Sequence, residues 1–244
     1  MTADVQSMPR PNASPALRAS IAEQLVALRG DGAPAPPDSL LEIAVERVAV
    51  PGDTLHVARP SDWPQLREDE AYDKRTTPYW AVPWPSGLSL ARQVARERPA
   101  GKRVLELGCG LALPSVAAAR AGAARVLATD GNTDAIVFAA HNLHLNGVTG
   151  DTAAGDWREI GDVLAAEPWD LVLAADVLYT RDNVEALVDL LRRLLAGGAE
   201  AWIADPRRAG AGELLPIAKK LWRVESREDP DDDRVLLHRL ASAR

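Results

Sequence analysis

The stretch Lys102–Asn132, KRVLELGCGLALPSVAAARAGAARVLATDGN, decides how the chain is read. Val104, Leu105 and Leu107 form a short apolar run, the pattern of a parallel strand covered on both faces. Gly108-Cys109-Gly110 turns the backbone sharply. Pro114, Val116 and the alanines to Ala121 suit a helix that tolerates the proline only in its first turn. Gly122 supplies a stop. Val126-Leu127-Ala128 then makes a second strand ending at Asp130. Strand, glycine turn, helix and strand together are half of a nucleotide-binding βαβ unit.

A glycine turn lets the backbone approach a ligand, and the N–H groups of the following helix favour an anionic group. Asp130 lies where such units carry a carboxylate for a ribose diol. Two ligands fit: a dinucleotide or S-adenosylmethionine. The dinucleotide fingerprint requires a third glycine three residues after the second, and that position is Leu113. Glu106, before the turn, would repel a pyrophosphate and suits a cationic amino-acid group.

Outward from this stretch, 244 residues with 47% hydrophobic content suffice for one α/β domain and an N-terminal extension. The net charge of −7 argues against a non-specific nucleic-acid binder. The single cysteine, Cys109, excludes an internal disulfide framework and reads as a small residue fitting the turn. No apolar run of membrane-spanning length and no signal core is present, so a cytoplasmic location is expected, with a monomer favoured.

Residues 1–15 are rich in Pro, Ser and Ala and are expected to be disordered. Leu17, Ile21, Leu25 and Leu28 recur at helical spacing, Gly30 ends that helix, and residues 31–38 read as a linker. Leu41, Ile43 and Val45 alternate as a strand, and Thr54–Val57 suggest another. The division expected is an extension over 1–37, a cover over 38–77 and the main domain over 78–244. The polar start of DEAYDKRTT, from residue 69, is expected to be mobile. Pro78–Pro85, PYWAVPWP, is too proline-rich for a helix or central strand, and Ser86 is a candidate cap for the helix to about Arg98. Trp84 in this stiff loop could place an aromatic face beside a cation.

After Asp130, a helix is expected over Thr133–Leu145, with His141 and His144 as ordinary helix residues, since nothing completes a metal set. A strand around Val148–Ala153 leads to Gly155-Asp156-Trp157. Asp156 is a candidate partner for an adenine amino group with Trp157 as a flat wall, or equally a helix cap with a packed tryptophan. Trp169–Ala175 reads as the next strand, ending in Asp176-Val177-Leu178-Tyr179. A helix follows over Asp182–Ala196 and a strand over Glu200–Ala204, ending in Asp205-Pro206-Arg207. The next helix lies after Gly212, and Trp222–Ser226 with Val235–Leu240 form a closing antiparallel pair around the loop EDPDDD.

PYWAVPWPSG, ELGCG, TDGN, GDW, AADVLY and ADPRR occur in an order that resembles the seven-β-strand protein methyltransferases. The branch it is similar to includes the electron-transfer-flavoprotein β-subunit lysine methyltransferase. The resemblance covers roughly residues 78–240. It implies a Rossmann-like class I methyltransferase fold: α/β, with a mostly parallel seven-stranded sheet, helices on both faces and an antiparallel C-terminal strand pair. It implies S-adenosylmethionine bound by Trp84, Glu106, Gly108, Cys109, Gly110, Asp130, Gly131, Asn132, Asp156, Trp157 and Ala175. Asp176 and Tyr179 match the branch's fourth-strand motif, and the resemblance makes them catalytic, with a lysine-bearing protein as substrate. The alternatives are a small amine, a nucleic acid, a dinucleotide-dependent oxidoreductase or a non-catalytic domain of the same fold.

Overall fold

In the computed structural model, residues 12–29, 35–69 and 77–242 are described. The elements run in order α1 (Pro15–Arg29), α2 (Asp38–Leu41), β1 (Ile43–Val50), β2 (Asp53–Pro60), α3 (Trp63–Glu68), a single 3₁₀ turn (Tyr79–Ala81), α4 (Pro85–Glu97), β3 (Arg103–Leu107), α5 (Leu113–Arg120), β4 (Arg125–Asp130), α6 (Thr133–Leu145), β5 (Asp151–Ala154), α7 (Trp157–Ala166), β6 (Leu171–Ala175), α8 (Arg181–Ala196), β7 (Glu200–Asp205), α9 (Ala209–Leu221), β8 (Trp222–Asp229) and β9 (Asp232–Ser242).

Seven strands make one sheet in the order β5-β4-β3-β6-β7-β9-β8, and only β9 runs antiparallel to the other strands. Strand alternation divides the apolar residues between two layers. Val104, Leu171, Leu173, Trp202 and Ala204 face α4 and its neighbours. Leu105, Leu107, Val172, Ala174, Ala201 and Ile203 face α8 and α9. Strand order reverses at β3, which pairs with β4 on one side and β6 on the other. Such a reversal opens a crevice beyond the carboxyl ends of the strands.

The hairpin of β1 and β2 packs on the first layer. Its seam with α6 is polar and specific: Asn142 takes the N–H of Ala58 (2.7 Å) and donates to the carbonyls of Ala58 and Leu111 (both 3.1 Å). One helical turn on, Asn146 accepts from His56 N (2.8 Å) and donates to His56 O (2.7 Å). In α1, Ile21 and Leu25 are buried while Leu28 is exposed. His141 is buried against Val137 O and the Ser20 hydroxyl.

Several local expectations are corrected. Residues 12–15 are ordered: Ala13 is buried and its N–H donates to Ile43 O (2.9 Å). Residues 1–11, Gly30, the linker's 31–34 and 70–76 of the polar segment lie outside the described residues. Leu41 closes the short helix α2 rather than starting a strand. Ser86 is not the cap, because α4 starts at Pro85 and its N-cap is Trp84; among the described residues the buried Ser86 hydroxyl has no partner. β5 begins at Asp151. α9 begins at Ala209, and Gly210 lies so close under Leu178 that a Cβ would stand 2.3 Å from its carbonyl oxygen. Most of EDPDDD is strand: only Pro230 and Asp231 separate β8 from β9.

Candidate active site

Because β3, β4, β5, β6 and β7 are parallel, the residues that follow them gather along one edge of the sheet. Gly108 (φ 67°) and Gly110 (φ 51°) adopt left-handed backbone. A Cβ on Gly108 would stand 3.0 Å from Val177 Cγ1, beside the ring of Trp157; one on Gly110 would stand 3.1 Å from Trp80 O. The loop after β6 and the loop before α4 both close against this turn.

Asp130 ties the turn to the end of β4. Its Oδ2 accepts from Gly110 N and its Oδ1 from Asn132 N, each at 2.9 Å. Burial raises the Asp130 pKa, opposed by these backbone hydrogen bonds. Asn132 caps α6, its side chain accepting from Asp134 N (2.8 Å) and Ala135 N (3.3 Å). Among the described residues, nothing stands within 4 Å of where a Cβ on Gly131 between them would be. A carboxylate accepts about four hydrogen bonds, so Asp130 retains capacity for a diol at an open edge. This donor and acceptor set fits an adenosyl group.

Glu106, expected to face the cationic amino-acid group of the cofactor, is buried beneath the turn. It alternates with Leu105 and Leu107 and so points under α5, where it is 1% exposed. Its Oε2 accepts from Ser115 N (2.8 Å) and the Ser115 hydroxyl. Burial pushes its pKa up to about 8 despite those bonds. Cys109 is also buried, and burial drives its thiol well above the usual range, with Asp130 and Glu106 adding to the shift. The thiol is therefore unreactive packing.

Asp156 caps α7, with Oδ1 accepting from Arg158 N (2.8 Å). Trp157 opens that helix and packs on the second layer. Trp84 donates from its indole to Tyr79 O (2.7 Å). With Trp63 and Tyr79 its ring makes a triangle of centroid separations 6.1–6.3 Å. Trp63 and Tyr79 were not singled out from sequence; Trp63 belongs to α3, and only folding brings it to the loop.

Ala175 ends β6, and Asp176 follows in left-handed backbone (φ 59°), its N–H held by Ala204 O at 2.9 Å. The Asp176 Oδ1 accepts from Arg208 Nε. Arg208 N donates to Oδ2 of Asp205 (2.9 Å). Tyr179 stands exposed on the same loop as Asp176, and partial burial of its hydroxyl raises its pKa. Arg208 is the residue that the sequence reading missed; its signal was the ADPRR motif itself. Among the described residues no group of three His, Cys, Asp or Glu could hold a metal, and no helix is long and apolar enough to cross a membrane.

The sheet order, the glycine turn after its central strand and the acid closing the next strand define a class I methyltransferase fold. Comparison with known proteins narrows this. The chain belongs to the lysine methyltransferase family, which it matches over residues 81–213, more than half its length. It is similar to the electron transfer flavoprotein beta subunit lysine methyltransferase of Danio rerio, 37% identical over 161 residues, covering 63% of this chain and 59% of the relative. The Xenopus laevis protein of the same name is 35% identical over 144 residues, covering 54% of each. The chain thus matches between half and three fifths of the length of these relatives. Among solved structures, the Pyrococcus abyssi tRNA (uracil-54, C5)-methyltransferase in complex with S-adenosyl-L-homocysteine superposes with a TM-score of 0.54 at 19% identity, over 81% of this chain and 44% of that one. That likeness shows the shared fold.

Proposed function

We propose that the chain is an S-adenosylmethionine-dependent methyltransferase acting on a lysine side chain of a protein substrate. The observation that carries this is the position of Asp176. It directly follows β6 beside the strand-order reversal, and Val177 after it packs against the glycine turn. Family membership and the names of the relatives support the acceptor class.

When bound, S-adenosylmethionine supplies a methyl group made electrophilic by its sulfonium charge. The rest is the chain's own work. Asp130 holds the ribose diol, and the turn at Gly108, Cys109 and Gly110 lets the backbone come close. Gly131, Asn132 and Ala175 border the same crevice. Asp156 and Trp157 flank the adenine end, with Asp156 also capping α7. Trp84 belongs to the aromatic rim, and Glu106 braces the turn from beneath. Asp176 accepts a hydrogen bond from the incoming amine and aims its lone pair, while Tyr179 shapes the lysine channel. A lysine amine arrives protonated, so a proton must leave to solvent before the new N–C bond forms. Positioning then supplies most of the acceleration. The catalytic unit in this reading is 78–244, with 38–77 as its cover and 1–37 as an extension.

The test is transfer of a labelled methyl group into cell lysate, with protein, RNA and small molecules separated and the acceptor identified by mass spectrometry. Label on protein lysine is expected, with Asp176→Ala nearly inactive but still binding S-adenosylmethionine. Label confined to RNA or small amines would overturn the acceptor assignment, and normal turnover by Asp176→Ala would remove that residue from the mechanism.

A further inference from the structure

We propose that Arg208 is a positioning residue that neutralises Asp176, so that Asp176 can orient the acceptor amine without holding it protonated. The inference rests on the role given to Asp176 above.

A carboxylate beside an amine presents a difficulty. It attracts the ammonium form, and that form has no lone pair to form a bond. The structure shows how the chain avoids this. Arg208 Nε donates to Oδ1 of Asp176. Among the described residues Oδ2 of Asp176 takes no hydrogen bond, so one oxygen is left for the amine. The ion pair has no net charge, yet its free oxygen still accepts an N–H. Arg208 is itself anchored: its backbone N–H donates to Asp205 Oδ2 at 2.9 Å, and it is the N-cap residue of α9. Arg207 before it is in left-handed backbone (φ 62°), and Gly210 after it abuts Leu178 O of the Asp176 loop. The two loops are locked together, which holds the guanidinium on the carboxylate.

Other titratable groups surround the pair. Asp205 on β7 is fully buried and accepts from Arg208 N; among the described residues its Oδ1 has no partner, and burial raises its pKa, with Asp176 adding to the shift. Tyr79 on the rim adds to the raised pKa of Arg208, and Tyr179 on the Asp176 loop lies within electrostatic reach of Arg208, Asp130 and Asp156. Methyl transfer in this arrangement balances simply. The ammonium proton leaves to water, the amine nitrogen forms the N–C bond, and the S–C bond breaks with its electron pair going to sulfur.

The test compares the wild type with Arg208→Gln, Arg208→Met and Arg208→Lys, using labelled-methyl incorporation into lysate protein at saturating S-adenosylmethionine from pH 6 up to about pH 11, through the lysine titration range. In Arg208→Gln and Arg208→Met the bare carboxylate holds the amine protonated. The acid limb of the rate profile is expected to move up by about one pH unit, giving a roughly tenfold loss below the wild-type limb that shrinks as pH rises through the shifted limb. Arg208→Lys keeps the charge and should keep most of the wild-type limb. Binding of n-butylammonium, followed by NMR, should tighten at least about threefold in Arg208→Gln. A loss that persists by the same factor through and above the wild-type limb, or an unmoved limb with unchanged n-butylammonium binding, would overturn the proposal. Asp176→Ala separates the two readings. If it is inactive while the Arg208→Gln limb does not move, only the Arg208 role falls; if it is fully active, the Asp176 role falls and this one with it.

Discussion

Replacing Glu106 by Gln should make the protein more stable at neutral pH. Glu106 is buried under α5 with its pKa raised from 4.5 to about 8, chiefly by desolvation. Between those two values the native chain holds the Glu106 proton and the unfolded chain does not. Stability is therefore fully present below about pH 4.5 and falls as pH rises through 8. The solution at pH 7 lies 7 − 4.5 = 2.5 units above the ordinary value at which the unfolded carboxyl titrates. At about 1.36 kcal/mol per unit, roughly 3 kcal/mol of stability is lost by pH 7. A glutamine has the same shape and an amide oxygen that still accepts from Ser115 N and its hydroxyl, and it does not titrate. Wild type and Glu106→Gln should agree within about 1 kcal/mol near pH 5 and diverge by about 3 kcal/mol at pH 7, a Tm difference of about 6–12 °C. Thermal and urea unfolding of both proteins at pH 5, 6, 7 and 8 checks this. The difference between the two curves removes every other titrating group, so parallel pH profiles would refute the assignment of a buried, protonated Glu106.

Asp130→Ala should weaken S-adenosylmethionine binding by roughly 10–100-fold, the worth of hydrogen bonds to a charged acceptor; unchanged affinity by calorimetry would remove the ribose role. Asn142→Ala deprives Ala58 N, Ala58 O and Leu111 O of partners in a buried seam. It should lower stability by about 2–4 kcal/mol, read as a shift of the urea midpoint at constant m, and a shift below about 0.5 kcal/mol would mean that the hairpin is not held there.

The central unit was legible because its signals are local. Apolar runs mark strands covered on both faces, glycine marks left-handed turns, and Asp130 follows at the spacing of one βαβ unit. The same logic reached the fold class and the closing strand pair, whose alternation is visible over single strands. Local signals misled where a nearby residue could do the same task. Ser86 has the chemistry of a cap, but Pro85 is pre-set for the first helical turn, so the helix starts two residues earlier, with Trp84 at the cap position. The acids of EDPDDD resemble a solvated loop, yet β8 and β9 pair almost to the tip, because antiparallel strands need only two residues to turn.

What sequence alone determined is the order of elements, the placing of Gly108, Gly110, Asp130 and Asp176 at strand ends, and the family. What only the tertiary structure decided is which charges meet. Glu106 reads as an acid beside a ligand, but strand alternation turns it under α5. Arg208 lies 32 residues from the carboxylate it engages, and Trp63 reaches the PYWAVPWP loop from another segment. Side-chain periodicity and backbone propensity act over a few residues, whereas ion pairs and burial depend on where the sheet edge brings distant loops, so no local pattern could reveal them.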